Sequence, residues 1–278
     1  MPMYKNRVPM DPATELRRYT TLDALVQILR NRQLRLTRVD KLQDPFEGSV
    51  PTRQIDDQVP IFSSRNAVQM MSLVAYYPSM SMPPRRSLDP WTEMTLRRRA
   101  KTRSAHASCW TAGHESEAMW RLYCRDGDPE GQGVALQSTL GKIEASVARH
   151  DLFVSPIRYR YYHEGAAFDD ELDPFMHKRM GFFHEREVRL LKYDQGHYSK
   201  LAAALTSNDP ARATQPELPD HIFLEWSPAE VIESITISPY ADESYEKQAR
   251  EAIASIDPSI VDRLELSILS ERRYAPQF

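Results

Sequence analysis

The chain has 278 residues, 36 Lys and Arg against 39 Asp and Glu, and a formal charge of -3, so it can bury a sizeable core and is not basic enough overall to bind polyanions by bulk charge. Its two cysteines, Cys109 and Cys124, form neither a CxxC pair nor a disulfide framework. The amino-terminal MPMYKNRVPMDP lacks an apolar signal core and no uncharged apolar run approaches membrane-spanning length, so a soluble, cytoplasmic protein with no membrane contact is expected.

In chain order, the first convincing element lies between Arg17 and Asp40. Thr20 followed by Asp23 predicts a capping box, and Leu22, Leu25, Val26, Ile28 and Leu29 then repeat at helical spacing. A short strand precedes this helix, and LRLTR, Leu34 to Arg38, follows it as another. Residues 50 to 103 read as an inserted loop or helical excursion, with scattered prolines and a helix near Val68 to Tyr76. The basic run Leu96 to Arg103 reads as a solvated helix face or loop. SAHASCWT, Ser104 to Thr111, predicts a strand, and Met119, Trp120, Tyr123 and Cys124 mark one side of a helix. GVALQS adds a strand, Leu140, Ile143 and Val147 an amphipathic helix, and LFVSPIRYRYY a β-prone run with an edge or bulge at Pro156. A helix is expected over Asp169 to Met180, a strand over Phe182 to Asp194 and a polar loop over Thr206 to Asp220. IFLEW, SPAEVIESITISP, a helix around Asp242 to Ser255 and RLELSIL complete the chain. Several neighbouring strands lack a crossover helix, which predicts one α+β domain over 1–278 with a split, mostly antiparallel mixed sheet and flanking helices.

The segment FFHEREVRLLKYD carries the sharpest chemical signal. As a strand it would place Phe183, Glu185, Glu187 and Arg189 on one face. That face is either a solvated ladder of weak ion pairs or a catalytic carboxylate with a supporting one. Other routes are poorly served: there is no GxxxxGK[ST] and no GxSxG, and Cys109 and His106 would face opposite sides of a strand. A metal-dependent nuclease could draw on Asp44, Glu47, Glu185 and Glu187. The place for its ExK, however, holds Glu187-Val188-Arg189, and arginine stays protonated.

QDPFE at Gln43 to Glu47, SCWT at Ser108 to Thr111, MWRLY at Met119 to Tyr123 and K-x-x-x-F-x-x-E-x-E-x-R from Lys178 to Arg189 resemble the ordered landmarks of a prokaryotic family known as domain of unknown function 2971. Its members read NDPFE, CFS, MWxxY and KxxxWxxExExR, so this chain departs at Gln43, Trp110 and Phe182. Relatives are associated with abortive-infection defence against phage, which implies a toxin or effector with an antitoxin or defence-system partner, or a non-enzymatic sensor.

Arg18-Tyr19-Thr20 before a helix and Glu185-Arg186-Glu187 late in the chain also resemble the catalytic order of ADP-ribosyltransferases. That resemblance implies an ADP-ribosyltransferase-like fold with NAD as substrate and a nucleic acid or protein as acceptor of ADP-ribose. It gives Glu187 the cationic transition state and Glu185 the acceptor. Arg18 and Arg189 would hold the pyrophosphate, and Trp110, Trp120 and Tyr123 would stack on nicotinamide or adenine. Plainer roles compete: Trp120 as core, Asp44 as the start of a turn, Tyr19 as a core aromatic and Thr20 as a helix cap.

Overall fold

The computed structural model describes residues 7–49, 90–124, 131–161, 168, 170–206 and 217–271. The expected helix near Val68 to Tyr76, and most of the expected excursion, lie outside them. The opening unit is β1 (Glu15–Thr20), α1 (Leu22–Asn31) and β2 (Gln33–Arg38). Helix α1 buries Leu22, Leu25, Ile28 and Leu29, one stripe of its surface. Its cap is Thr21, whose Oγ1 accepts from the Ala24 amide at 3.2 Å, and not Thr20 as the sequence suggested. Thr20 belongs to β1, in register with Val134, and so cannot open the helix.

There follow α2 (Pro90–Arg103), β3 (Ala105–Ala112), α3 (Glu117–Tyr123), β4 (Val134–Thr139), α4 (Leu140–Val147), β5 (Phe153–Pro156), β6 (Arg158–Arg160), β7 (His177–Arg179) and β8 (Glu187–Tyr193). The last part is α5 (Gln195–Thr206), β9 (His221–Glu225), α6 (Pro228–Val231), β10 (Ser234–Ile237), α7 (Glu243–Ala254), α8 (Pro258–Val261) and β11 (Leu264–Leu266). Helix α2 is more than a solvated face, since Ala100 packs with Leu201 and Ala202 of α5. The helix expected over Asp169 to Met180 does not form over the described residues there. Pro174, which has no amide hydrogen to donate, sits in a single 3-10 turn, Asp173–Phe175, and the chain then extends into β7. The expected strand from Phe182 also starts late: Met180–Glu185 is 3-10, Arg186 turns through a left-handed conformation at φ 45°, and β8 begins at Glu187.

Nine strands form one sheet, ordered β11-β10-β4-β1-β3-β2-β9, with β8 on β3 and β5 on β8. Every pairing in it is antiparallel except β10 with β11, and a separate parallel pair joins β6 to β7. The fold is therefore α+β with a mixed, mostly antiparallel open sheet. Strand β3 is the axis. One edge pairs with β8 over its whole length, from Ala105↔Tyr193 to Thr111↔Glu187. The other edge is shared, with β1 at Thr111 and Ala112 and with β2 at His106 and Ala107. Between those contacts β1 and β2 part, and the sheet splits.

Alternation along the strands assigns the two faces. Leu16, Trp110, Leu136, Val188 and Leu190 join Leu25, Ile28, Ile143 and Ile253 in the main core. The opposite face carries two smaller clusters: Tyr19, Met119, Trp120, Cys124 and Ala135 under α3, and Val39, Ala105, Ala107, Phe175, Met176 and Leu191 under the 172–176 segment. A cleft lies between these two clusters. Among the described residues no helix is long and apolar enough to cross a membrane.

Candidate active site

Because β1 and β2 diverge, the middle of β3 meets open space, and a cleft of about 590 Å3 forms there. Arg18, Tyr19 and Thr20 of β1, Arg35 and Thr37 of β2, Cys109 of β3, Tyr123 of α3, and Lys178, Phe182 and Glu185 all line it. A recess of about 40 Å3 joins it at Arg18, Tyr19, Cys109, Tyr123 and Glu185, and brings in Trp110 and Glu187. The strands carrying Arg18 and Glu187 both neighbour β3, on opposite edges.

One wall is a closed set of ion pairs. Arg189 is wholly buried; it donates to both oxygens of Glu47 at 2.8 and 2.9 Å, to Glu187 at 2.7 Å and to the Phe175 carbonyl at 2.7 Å. Lys178 reaches Glu185 at 2.6 Å and Glu187 at 2.7 Å, with Glu47 at 3.6 Å. The contact from Lys178 to Glu187 Oε2 is an ion pair without the direction of a hydrogen bond, so that oxygen has no donor. Tyr123 completes the set by donating to Glu185 at 2.6 Å. Burial opposes the charge on Glu187, yet Arg189 and Lys178 outweigh it and hold the carboxyl well below its ordinary range. Burial likewise opposes the charge on Lys178, and Glu187 and Glu47 keep it protonated. Burial and Glu187 push the Cys109 thiol up, and burial and Glu185 do the same to the Tyr123 hydroxyl, so both stay neutral. Three carboxylates against two cations leave this wall one formal negative charge.

The facing side is different. Arg18 donates to Ser108 Oγ at 3.0 Å, and among the described residues neither it nor the exposed Arg35 has a carboxylate partner. Burial first, and Arg35 second, lower the Arg18 guanidinium to about 10. Burial holds the Tyr19 hydroxyl up at about 12, where it accepts from the Ser116 amide at 3.1 Å.

The structure thus brings Arg18, Tyr19, Thr20, Tyr123 and Glu185 to one cleft, with Glu187 on its recess; Trp110 borders that recess but is buried in the main core against Trp226 at 6.4 Å, so its ring is not open for stacking. It removes two further expected ligand contacts. Arg189 is spent on Glu47 and Glu187, so it is not placed to hold a pyrophosphate. Trp120 is fully buried, donates to Glu115 at 2.7 Å and meets Tyr19 edge-on at 4.8 Å, so it belongs to the core. Nor do Glu185 and Glu187 share a strand face; the left-handed Arg186 swings Glu185 into the main cleft and leaves Glu187 behind it. Asp44 accepts from the Phe46 amide at 2.9 Å and from Arg179 at 2.8 Å, the turn role its sequence allowed. Asp44, Glu47, Glu185 and Glu187, the carboxylates a metal-dependent nuclease would draw on, are each paired with a cationic side chain: Asp44 with Arg179, and the other three with Lys178 or Arg189. Lys178 and Arg35 were given no role from sequence. Lys178 opens the landmark that runs to Arg189, which was the available signal; Arg35 had none. Comparison of the chain with protein-family models, with curated proteins and with solved structures gives no match.

Proposed function

We propose that the protein cleaves NAD and transfers ADP-ribose to a macromolecular acceptor, as an effector of a defence system related to the family it resembles. The observation that carries this reading is the meeting, in one cleft, of Arg18, a cation with no carboxylate partner among the described residues, and a fixed carboxylate, Glu185. A guanidinium without a carboxylate partner is a ready site for a pyrophosphate oxygen. The net negative wall opposite suits the positive charge that develops on ribose as the C1′–nitrogen bond breaks and nicotinamide leaves with the bonding electrons. The acceptor nucleophile then bonds to C1′ and loses its proton, and Glu185 is the base assigned to take it in this scheme. In this scheme Glu185 takes the central role, and Glu187 positions it through Lys178. Tyr19 and Tyr123 shape the cleft for nicotinamide and ribose, and Trp110 faces the recess behind them. Glu185 and Glu187 each accept an ion pair from the same ammonium, so replacing either changes the other.

The test is nicotinamide release and transfer of labelled ADP-ribose into cell extract, with a chelator present. Wild type should turn over NAD, and Glu185→Gln should lose on the order of a hundredfold or more. No NAD consumption by folded wild type, or equal rates in the variant, would end the transferase reading. DNA or RNA cleavage abolished by the chelator would favour the nuclease instead.

A further inference from the structure

Strands β2 and β9 pair antiparallel, with Arg35 opposite Phe223 and Thr37 opposite His221. The alternate residues Leu34 and Leu36 are buried, so Arg35 and Phe223 stand together on the open face. Phe223 is 53% exposed, a large apolar side chain left to solvent at the end of the sheet. It does not stand apart from the site: Arg18, Thr20, Gln27 and Arg35 line both the main cleft and the notch that Phe223 closes. Of the carboxylates on or beside β9, Asp220 is held by Arg38 at 3.0 Å and Lys41 at 3.3 Å, and Glu225 by Arg149 at 3.4 Å; Asp23 of α1 lines the cleft too, with no ion pair to Arg18 or Arg35 among the described residues. An exposed ring beside two cations that have no carboxylate partner among the described residues is complementary to a group that is flat at one end and anionic at the other. A base stacks on any aromatic face, and a guanidinium meets its phosphate with two donors.

We propose that this face is a nucleotide subsite, in which Phe223 stacks on a base and Arg35 and Arg18 hold the phosphate attached to it. The wall at Glu185 is less suited to a base, since Phe182 there lies under the Lys178 ammonium at 5.3 Å and the Tyr123 hydroxyl is tied to Glu185. The nucleotide is supplied either by the adenylate half of NAD or by one residue of a single-stranded nucleic-acid acceptor. The subsite rests on the transferase reading for its place beside Glu185, while its binding chemistry stands on Phe223 and the two arginines alone.

Calorimetric titration of the full chain with AMP, ribose 5-phosphate, NAD and a short oligoadenylate tests it. Wild type should bind AMP more tightly than ribose 5-phosphate. Phe223→Ala should weaken AMP about tenfold and leave ribose 5-phosphate within about twofold, whereas Arg35→Gln should weaken both. Both side chains are exposed, and a thermal melt confirms that each variant folds. NAD that shares the Phe223 sensitivity assigns the subsite to its adenylate. Oligoadenylate that binds more tightly than AMP and needs Phe223, with NAD indifferent to it, assigns the subsite to the acceptor. AMP binding unchanged in Phe223→Ala, or no AMP binding by folded wild type at millimolar concentration, overturns the proposal. Loss of AMP binding in a protein that never releases nicotinamide keeps the subsite and removes the transferase. Nicotinamide release by wild type, with both AMP and oligoadenylate binding unchanged in Phe223→Ala, does the reverse.

Discussion

The two sides of the cleft carry similar charges under opposite conditions. On the Glu185 side every charge has a counter-charge at 2.6 to 2.9 Å, and Arg189 and Glu187 are almost wholly buried. On the Arg18 side the half-buried guanidinium is lowered to about 10, mainly by burial, and among the described residues it has the Ser108 hydroxyl and no carboxylate partner. Removing one member of a satisfied buried pair strands its partner, while removing a half-buried charge that has no carboxylate partner strands nothing and relieves part of a desolvation cost. The first side should therefore answer to folding, and the second to ligand.

The largest effect should come from breaking the closed side. Arg189→Met leaves Glu47 and Glu187 without their main cation and should cost about 3 to 5 kcal/mol in chemical denaturation. Adding Glu47→Leu should restore part of the loss, because the pair is then removed together. A small effect of Arg189→Met would mean that the ion pairs are not the frame of the cleft.

Next in size is the response to acid. The folded pKa of Glu187 is depressed, so its contribution is full above the unfolded carboxylate value, about 4.3, and disappears as the pH falls through and below it. His177 is lowered to about 4, mainly by burial, and its neutral form is the one the fold keeps. Its contribution is full above the unfolded value of about 6.5 and is lost as the pH falls from there toward 4, at up to about 1.4 kcal/mol per pH unit. Denaturation midpoints should therefore decline in two stages on acidification, and His177→Gln should flatten the upper stage only.

The open side should give the smallest stability changes. Arg18→Gln should hold or raise the melting temperature, since Gln can keep the bond to Ser108 while the unpaired charge is gone. Arg35→Gln, on the exposed face, should leave stability within about 0.5 kcal/mol. Destabilisation by Arg18→Gln as large as that by Arg189→Met would erase the distinction between the two sides.

Local chemistry made much of this legible in the sequence. The repeat from Leu22 to Leu29, the spacing of Leu140, Ile143 and Val147, and the lack of crossover helices led to α1, α4 and a mostly antiparallel sheet. Most of what failed depended on partners distant in the chain, while the helix expected over Asp169 to Met180 failed on a local residue, Pro174. Thr20 and Thr21 are equivalent as caps until β4 pairs with Thr20 and leaves the cap to its neighbour. Glu185 and Glu187 read as one strand face because period-two spacing contains no sign of the left-handed Arg186 between them. Arg189 looked free for phosphate because Glu47 lies 142 residues earlier. Lys178, drawn in by three carboxylates, could be placed only after those carboxylates were. The order of Arg18, Trp110, Tyr123 and Glu185 along the chain was visible, but the split that gathers them comes from the shared edge of β3.

Steady-state nicotinamide release from NAD by wild type, Glu185→Gln and Arg18→Gln tests the central claim most directly, because it separates the two sides in one assay. A carboxylate that acts on the developing cation should lower kcat by about a hundredfold when neutralised and leave KM close to wild type. A cation that only holds phosphate should raise KM about tenfold when removed, with kcat much less affected. Variants that fold like wild type but change kcat and KM alike, or a wild type that releases no nicotinamide, would contradict the division of the cleft into a reacting side and a binding side.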